Sequence, residues 1–162
     1  MLIIDKAVAQ DASILAEVQK RSFDEDISQF QQEEATGGPP GYDSKLWQLD
    51  MMKAGHYYKL TEDSVIIGGM LIFPSPDHEK CHLGRLFIDP LYQNRGYGQA
   101  AMQYLFEQFP RTHKWSLDTP SWAVRNHYFY TKAGFKQTAQ SEPDSTGLIL
   151  FMYERNTSDS QV

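Results

Sequence analysis

Cysteine is nearly missing from this chain. Among 162 residues there is one, Cys81, so no intrachain disulfide can form; such a chain suits a reducing compartment, and a cytoplasmic location is the expectation. Metal-ligand spacing is missing too. One cysteine and five scattered histidines give none of the usual zinc patterns, and no metal is expected. Long apolar runs are lacking: no stretch of about 18 such residues reads as a membrane span, and no membrane partner is expected. Met1-Leu2-Ile3-Ile4 meets Asp5 at once, too short for the apolar region of a secretory leader. Low-complexity tracts, internal repeats and basic stripes are also wanting. Without a stripe of lysines and arginines to neutralise phosphates, a nucleic-acid partner is excluded.

What remains is an ordinary globular composition. At this length one domain can bury about two thirds of its unfolded surface. The sequence predicts a single domain over 1–153, with 154–162 as a disordered tail. Charge is uneven along the chain. Residues 1–80 carry seven basic and fourteen acidic side chains, whereas 81–162 carry eight basic and seven acidic. Solvated acidic surface explains this simply. A functional explanation is that the first half faces a cationic substrate and the second holds an anionic ligand.

Element order follows from periodicity and breakers. Leu2–Val8 alternates as a strand. Asp11 caps a helix through Phe23, with Ile14, Leu15, Val18 and Phe23 near one face. Asp24–Glu34 reads as a second short helix or an irregular segment. Ala35–Gly41 holds too many breakers for anything but a loop. Asp43 or Ser44 caps the next helix, which ends near Gly55. Strands at 56–61 and 65–73 form a hairpin around Glu62-Asp63-Ser64. A loop at 74–78 leads to a buried strand ending at Asp89-Pro90. A helix over 98–109, a strand over 114–118, a helix over 122–133 closed by Gly134, and strands at 135–139 and 148–153 complete the order.

The most informative segment is Gln93-Asn94-Arg95-Gly96-Tyr97-Gly98, between that strand and the helix of 98–109. The first amides of a helix lack intrahelical partners and carry the positive end of the macrodipole. Glycines at 96 and 98 permit positive φ and close backbone approach, so the segment reads as a phosphate or pyrophosphate cradle. Gly96-x-Gly98-x-x-Ala101 also satisfies a relaxed dinucleotide fingerprint, with Asp118 twenty residues after Gly98 where a ribose-binding acid belongs. Three features oppose that assignment. Asp89–Arg95 intervenes between strand and glycine, about 80 residues of mixed chain precede the motif, and only one clean strand–helix–strand unit follows.

Ile88–Gly98, with Gln93-x-x-Gly96-x-Gly98, resembles the acyl-CoA signature of the GNAT N-acetyltransferases. Asn126-His127-Tyr128-Phe129-Tyr130-Thr131-Lys132-Ala133-Gly134-Phe135 is similar to that family's last helix and its closing Gly-Phe. Element order over 1–153 matches as well. The resemblance implies an α+β fold with a central mixed, mostly antiparallel sheet of about seven strands, splayed in the middle, and four helices. It implies acetyl transfer from acetyl-CoA to a primary amine, a cationic small molecule or a peptide amine, by direct attack in a ternary complex. The alternative is a CoA-binding regulatory module without catalysis. A homodimer is compatible with the family.

Site residues follow by position. Backbone groups of Leu86, Phe87 and Ile88 would pair with the pantetheine arm as an added strand. Amides from Gln93 through Asn94, Arg95, Gly96, Tyr97 and Gly98 to Gln99 would hold the pyrophosphate, with Arg95 adding charge. Tyr130 takes the family position of the general acid, and its neighbour Phe129 lies on the cofactor side. Asn126, one turn before Tyr130, could bond the pantetheine arm, although the family pattern puts asparagine at the position of Ala123. The glutamate base of histone-modifying members corresponds to Gly84, so His82, two residues earlier on the strand, is the candidate base. Asp24, Asp26, Glu33, Glu34 and Asp118 are acidic candidates for the amine.

Overall fold

The computed structural model describes residues 1–30 and 38–157. Seven strands, β1 (Leu2–Lys6), β2 (His56–Glu62), β3 (Val65–Pro74), β4 (Lys80–Ile88), β5 (Lys114–Pro120), β6 (Lys136–Gln140) and β7 (Leu150–Asn156), form one open sheet in the order β1-β2-β3-β4-β5-β7-β6. Four helices accompany it: α1 (Ala12–Phe30), α2 (Lys45–Ala54), α3 (Tyr97–Gln108) and α4 (Val124–Lys132). Every neighbouring pair is antiparallel except β4 and β5, which run parallel. A parallel pair needs a crossover, and α3 supplies it.

Local chemistry explains these elements. In α1, Ala12, Leu15, Ala16, Val18, Gln19 and Ser22 are buried, the spacing of one helix face. The helix continues through 24–30 as one piece, where the sequence allowed a break. Ser44 caps α2 by accepting the Trp47 N–H at 3.1 Å. Asp63 and Ser64, at φ 49° and 69°, give the β2–β3 hairpin the primed turn that matches strand twist. β5 runs through Pro120 and β7 through Asn156. The last strand therefore reaches three residues into the segment expected as a tail, because Glu154, Arg155 and Asn156 pair with Ser116, Trp115 and Lys114.

Two apolar clusters sandwich the sheet. One, with Leu60, Ile67, Met70, Leu83, Met102, Leu105, Trp115, Tyr130 and Phe135, lies under α3 and α4; the other, with Leu15, Val18, Tyr57, Leu71 and Phe87, lies under α1 and α2. The sheet thus divides two compartments. What joins them is the seam between β4 and β5.

Candidate active site

Only three residue pairs hold the parallel seam: Lys80↔Lys114, Cys81↔Trp115 and His82↔Ser116. Beyond His82, β4 continues six residues along β3 and β5 continues along β7, with no further pair between the two. A V-shaped gap opens there. The Asp89 N–H donates to the Ile67 carbonyl of β3 at 2.7 Å, and alternation along a ladder then turns Phe87 toward β3 as well. Leu86 and Ile88 face the gap. Consistent with this, the Ile88 carbonyl accepts from the Gln93 side chain at 3.0 Å. Phe87 therefore leaves the set of expected pantetheine partners: its backbone faces β3 and its side chain is buried beneath α1 and α2.

The glycine turn closes the mouth of the gap. Asn94 and Gly96 are both left-handed, at φ 63° and 82°, which turns successive amides into a concave face. Gly96 caps α3 with no side-chain hydrogen bond, leaving the amides of Tyr97, Gly98 and Gln99 facing outward. A Cβ on Gly96 would meet nothing within 4 Å, whereas one on Gly98 would lie 2.8 Å from the Phe129 ring. The first glycine serves backbone conformation and the second lets α3 pack on α4. Arg95 is exposed, stacked on Tyr92 at 5.1 Å and bonded to the Leu91 carbonyl at 3.2 Å. The Tyr97 hydroxyl is anchored on Glu62 at 3.0 Å, so that residue offers the cradle its amide alone.

Gln93 does more than the sequence revealed. Besides bonding Ile88, its carbonyl accepts from Arg125 Nη2 at 2.9 Å. It bridges the end of β4 to the start of α4. Asn126 donates to Thr119 Oγ1 at 3.2 Å, fixing its side chain beside β5.

Tyr130 is 8% exposed and packs against Phe129 and Phe135. Burial, and after it the charge of Asp26, raise its phenol above the ordinary value. Asp26 belongs to α1, so its charge acts on Tyr130 from a helix on the other face of the sheet. Burial pushes the Asp26 carboxyl up to about 6, against the opposing charge of Arg125. Electrostatic influence thus links Asp26 of α1 with Arg125 and Tyr130 of α4.

The other acids differ. Asp24 is tied to Lys20 Nζ at 2.6 Å and the Tyr42 hydroxyl at 2.9 Å. Burial raises its pKa, but those two hydrogen bonds outweigh it and hold the carboxyl below its usual value. That engagement removes Asp24 as a free amine acceptor. Glu33 and Glu34 lie outside the described residues. Asp118 is exposed on β5, opposite Met152. His82 Nδ1 lies 2.9 Å from Ser116 Oγ at the point of the V; Ser116 had no signal in the sequence beyond its place in a strand. Among the described residues no cluster of three metal-ligating side chains occurs and no helix is long and apolar enough to cross a membrane.

Fold and gap together define the architecture of a coenzyme A-dependent acyltransferase. The chain belongs to the GNAT acetyltransferase family: residues 22–135 match the profile described as "Acetyltransferase (GNAT) family". Acetyl-CoA is accordingly its cosubstrate. A search by sequence among curated proteins found no match. In structure the chain is similar to PaiA N-acetyltransferase from Thermoplasma acidophilum in complex with coenzyme A, at TM-score 0.76 and 20% identity, covering 96% of this chain and 99% of that one. It is similar to the ribosomal-protein-S18-alanine N-acetyltransferase of Escherichia coli, at TM-score 0.74 and 15% identity over 96% and 94% of the two chains. A GNAT acetyltransferase from Elizabethkingia anophelis with acetyl-CoA bound aligns at TM-score 0.61 and 18% identity, over 76% of this chain and 94% of that one. The residues at hand fit the cosubstrate: a row of outward amides and an exposed arginine suit a pyrophosphate, and an unpaired strand edge suits an amide-bearing arm.

Proposed function

We propose that this protein is an N-acetyltransferase that acetylates a primary amine carried by a cationic acceptor. The observation that carries the reading is the gap between β4 and β5, with the glycine cradle at its mouth. Acetyl-CoA brings an acyl carbon activated as a thioester. The amides of 93–99 and Arg95 hold phosphate, and Leu86 and Ile88 hold the pantetheine arm along the edge of β4. Phe129 and Asn126 shape the opposite wall.

The acceptor arrives as an ammonium ion, since an unperturbed alkylamine has a pKa near 10.4 and only about one molecule in 2,500 is neutral at pH 7. Asp26 offers it a counter-charge. His82 takes one proton, and the amine nitrogen then bonds to the acyl carbon as the carbon–sulfur bond breaks. Tyr130 gives its proton to the departing sulfur. Solvent returns the amine's second proton to Tyr130 and clears the one on His82, so the balance is amide, thiol and one free proton. A phenol held well protonated by burial suits the role of acid throughout the neutral range. Acidic side chains along residues 1–80 support a cationic acceptor over an anionic one.

The test is release of free thiol from acetyl-CoA across a panel of primary amines, polyamines and peptides with free N-termini or lysines. Turnover on at least one cationic amine is expected. Tight CoA binding without turnover on any member would replace the reading with a CoA-binding module.

A further inference from the structure

The last pair of the β4–β5 ladder carries a side-chain bond as well as a backbone one. His82 Nδ1 and Ser116 Oγ are 2.9 Å apart, across the two strands where they begin to part. Strand alternation puts Lys80 and His82 of β4, and Lys114 and Ser116 of β5, on one face. With Glu154 of β7 and Phe73 of β3 they line a cleft of about 330 Å³, enough for several heavy atoms beyond a single water. This is the face of α1 and α2, since Phe73 packs into the cluster beneath those helices. It is opposite the compartment that buries Tyr130.

The charges around His82 can be enumerated. Glu154 stands directly across the β5–β7 ladder from Ser116, and its Oε2 lies 3.3 Å from Lys114 Nζ. Lys80 lines the cleft from β4, and Phe73 and Pro74 of β3 with Ser75 just after it add no group that titrates near neutrality. Cys81 turns its thiol to Thr112 Oγ1 at 3.2 Å, and burial raises its pKa. Glu154 is therefore the anion across the ladder from Ser116, ion-paired with Lys114 and set beside Lys136 of β6.

A serine hydroxyl has one hydrogen and two lone pairs. Ser116 opens on the cleft, so its hydroxyl hydrogen can turn to solvent or toward Glu154, which shares the cleft and whose carboxylate pairs with Lys114. In that arrangement an Oγ lone pair is left for His82 and the ring donates: Nδ1 carries the proton and Nε2 keeps its lone pair. The reverse arrangement, with serine donating to Nδ1, would place the proton on Nε2 and disable the base. We propose that Ser116 is a positioning residue that holds His82 in the Nδ1–H tautomer, with Nε2 free to take a proton from an amine in the cleft. The proposal rests on the acetyl-transfer reading for its catalytic meaning, while the tautomer can be measured without turnover.

The experiment uses the full chain labelled with ¹⁵N-histidine, with the His82 resonances assigned by their loss in His82→Gln. At a pH where the ring is neutral, wild type should show a protonated Nδ1 and an unprotonated Nε2. Ser116→Ala should move the ring toward the Nε2–H tautomer and lower kcat about tenfold, the rate equivalent of one hydrogen bond on the reacting group, with KM little changed. Ser116→Thr keeps the hydroxyl and should keep both properties. A wild-type Nε2–H tautomer, or a Ser116→Ala protein with unchanged tautomer and rate, overturns the proposal. If no amine in the panel is acetylated yet the Nδ1–H tautomer is found and lost in Ser116→Ala, Ser116 still orients the ring and the failure belongs to the functional reading alone.

Discussion

At the scale of single residues, the carboxylates separate by what they touch. Asp24 and Asp26 lie on one helix two residues apart, and periodicity gave no reason to rank them. Structure distinguishes them through partners: Asp24 is bonded by Lys20 and Tyr42, while Asp26 is half-buried with its charge felt at Tyr130. A carboxyl held at about 6 by burial binds more protons in the folded chain than in the unfolded one between about pH 4 and 6. Stability therefore falls as pH rises through that window and stays lower above it. Asp26→Asn should remove the penalty, raising unfolding free energy at pH 8 by roughly 1–2 kcal/mol after allowance for solvent screening, with no gain at pH 4. Denaturant titrations at both pH values measure this. In acetyl-transfer assays the same variant should raise KM for a cationic amine, and Tyr130→Phe should lower kcat about 10²-fold with unchanged CoA affinity. A gain in stability alongside a loss of acceptor binding is the pattern of a side chain kept for function.

At the scale of elements, the cradle was legible because glycine, proline and helix periodicity are local signals. The turn of 93–98, the start of α3 and the hairpin at 63–64 all follow from short-range chemistry. Long-range contacts were not legible. Nothing local says that β5 parts from β4 after Ser116, that Gln93 bridges Ile88 to Arg125, or that Phe87 faces β3. The extent of α1 was missed because Asp24–Glu34 has no strong apolar period. Its continuation is supported from outside, as Arg21 grips the buried carboxylate of Asp89 with nitrogens at 2.8 and 3.2 Å and Tyr42 holds Asp24. The two glycines of the cradle make a test of the local argument. Gly96 sits at φ 82° in open space, so its constraint is backbone conformation alone. Gly96→Val, a β-branched residue in a left-handed position, should weaken CoA binding at least tenfold, whereas Gly96→Asn, tolerated there, should retain most of it. Calorimetric titration with CoA reads the difference. Equal losses in both variants would mean that side-chain bulk, and not φ, governs the cradle.

At the scale of the whole molecule, the sheet is two pieces joined by a short seam. β1–β4 and β5–β7 share three ladder pairs and the apolar cluster under α3 and α4, and nothing in the strand register joins them beyond His82. A ligand lying in the gap would contact both pieces and so bind the folded chain only. At 100 times its dissociation constant, such a ligand adds about 2.7 kcal/mol. For a domain of this size that corresponds to a rise in melting temperature of about 5–10 °C. CoA and acetyl-CoA should produce this rise, and NAD at the same concentration should not. The location can be checked in the same samples by hydrogen exchange. Protection should grow at the amides of Leu86, Ile88 and 96–99, and stay unchanged along β1 and β2. A rise with NAD alone would restore the dinucleotide assignment of Gly96-x-Gly98. A rise with CoA that leaves the β4 edge exchanging as before would put the ligand outside the gap, and with it the reason for the sheet to part.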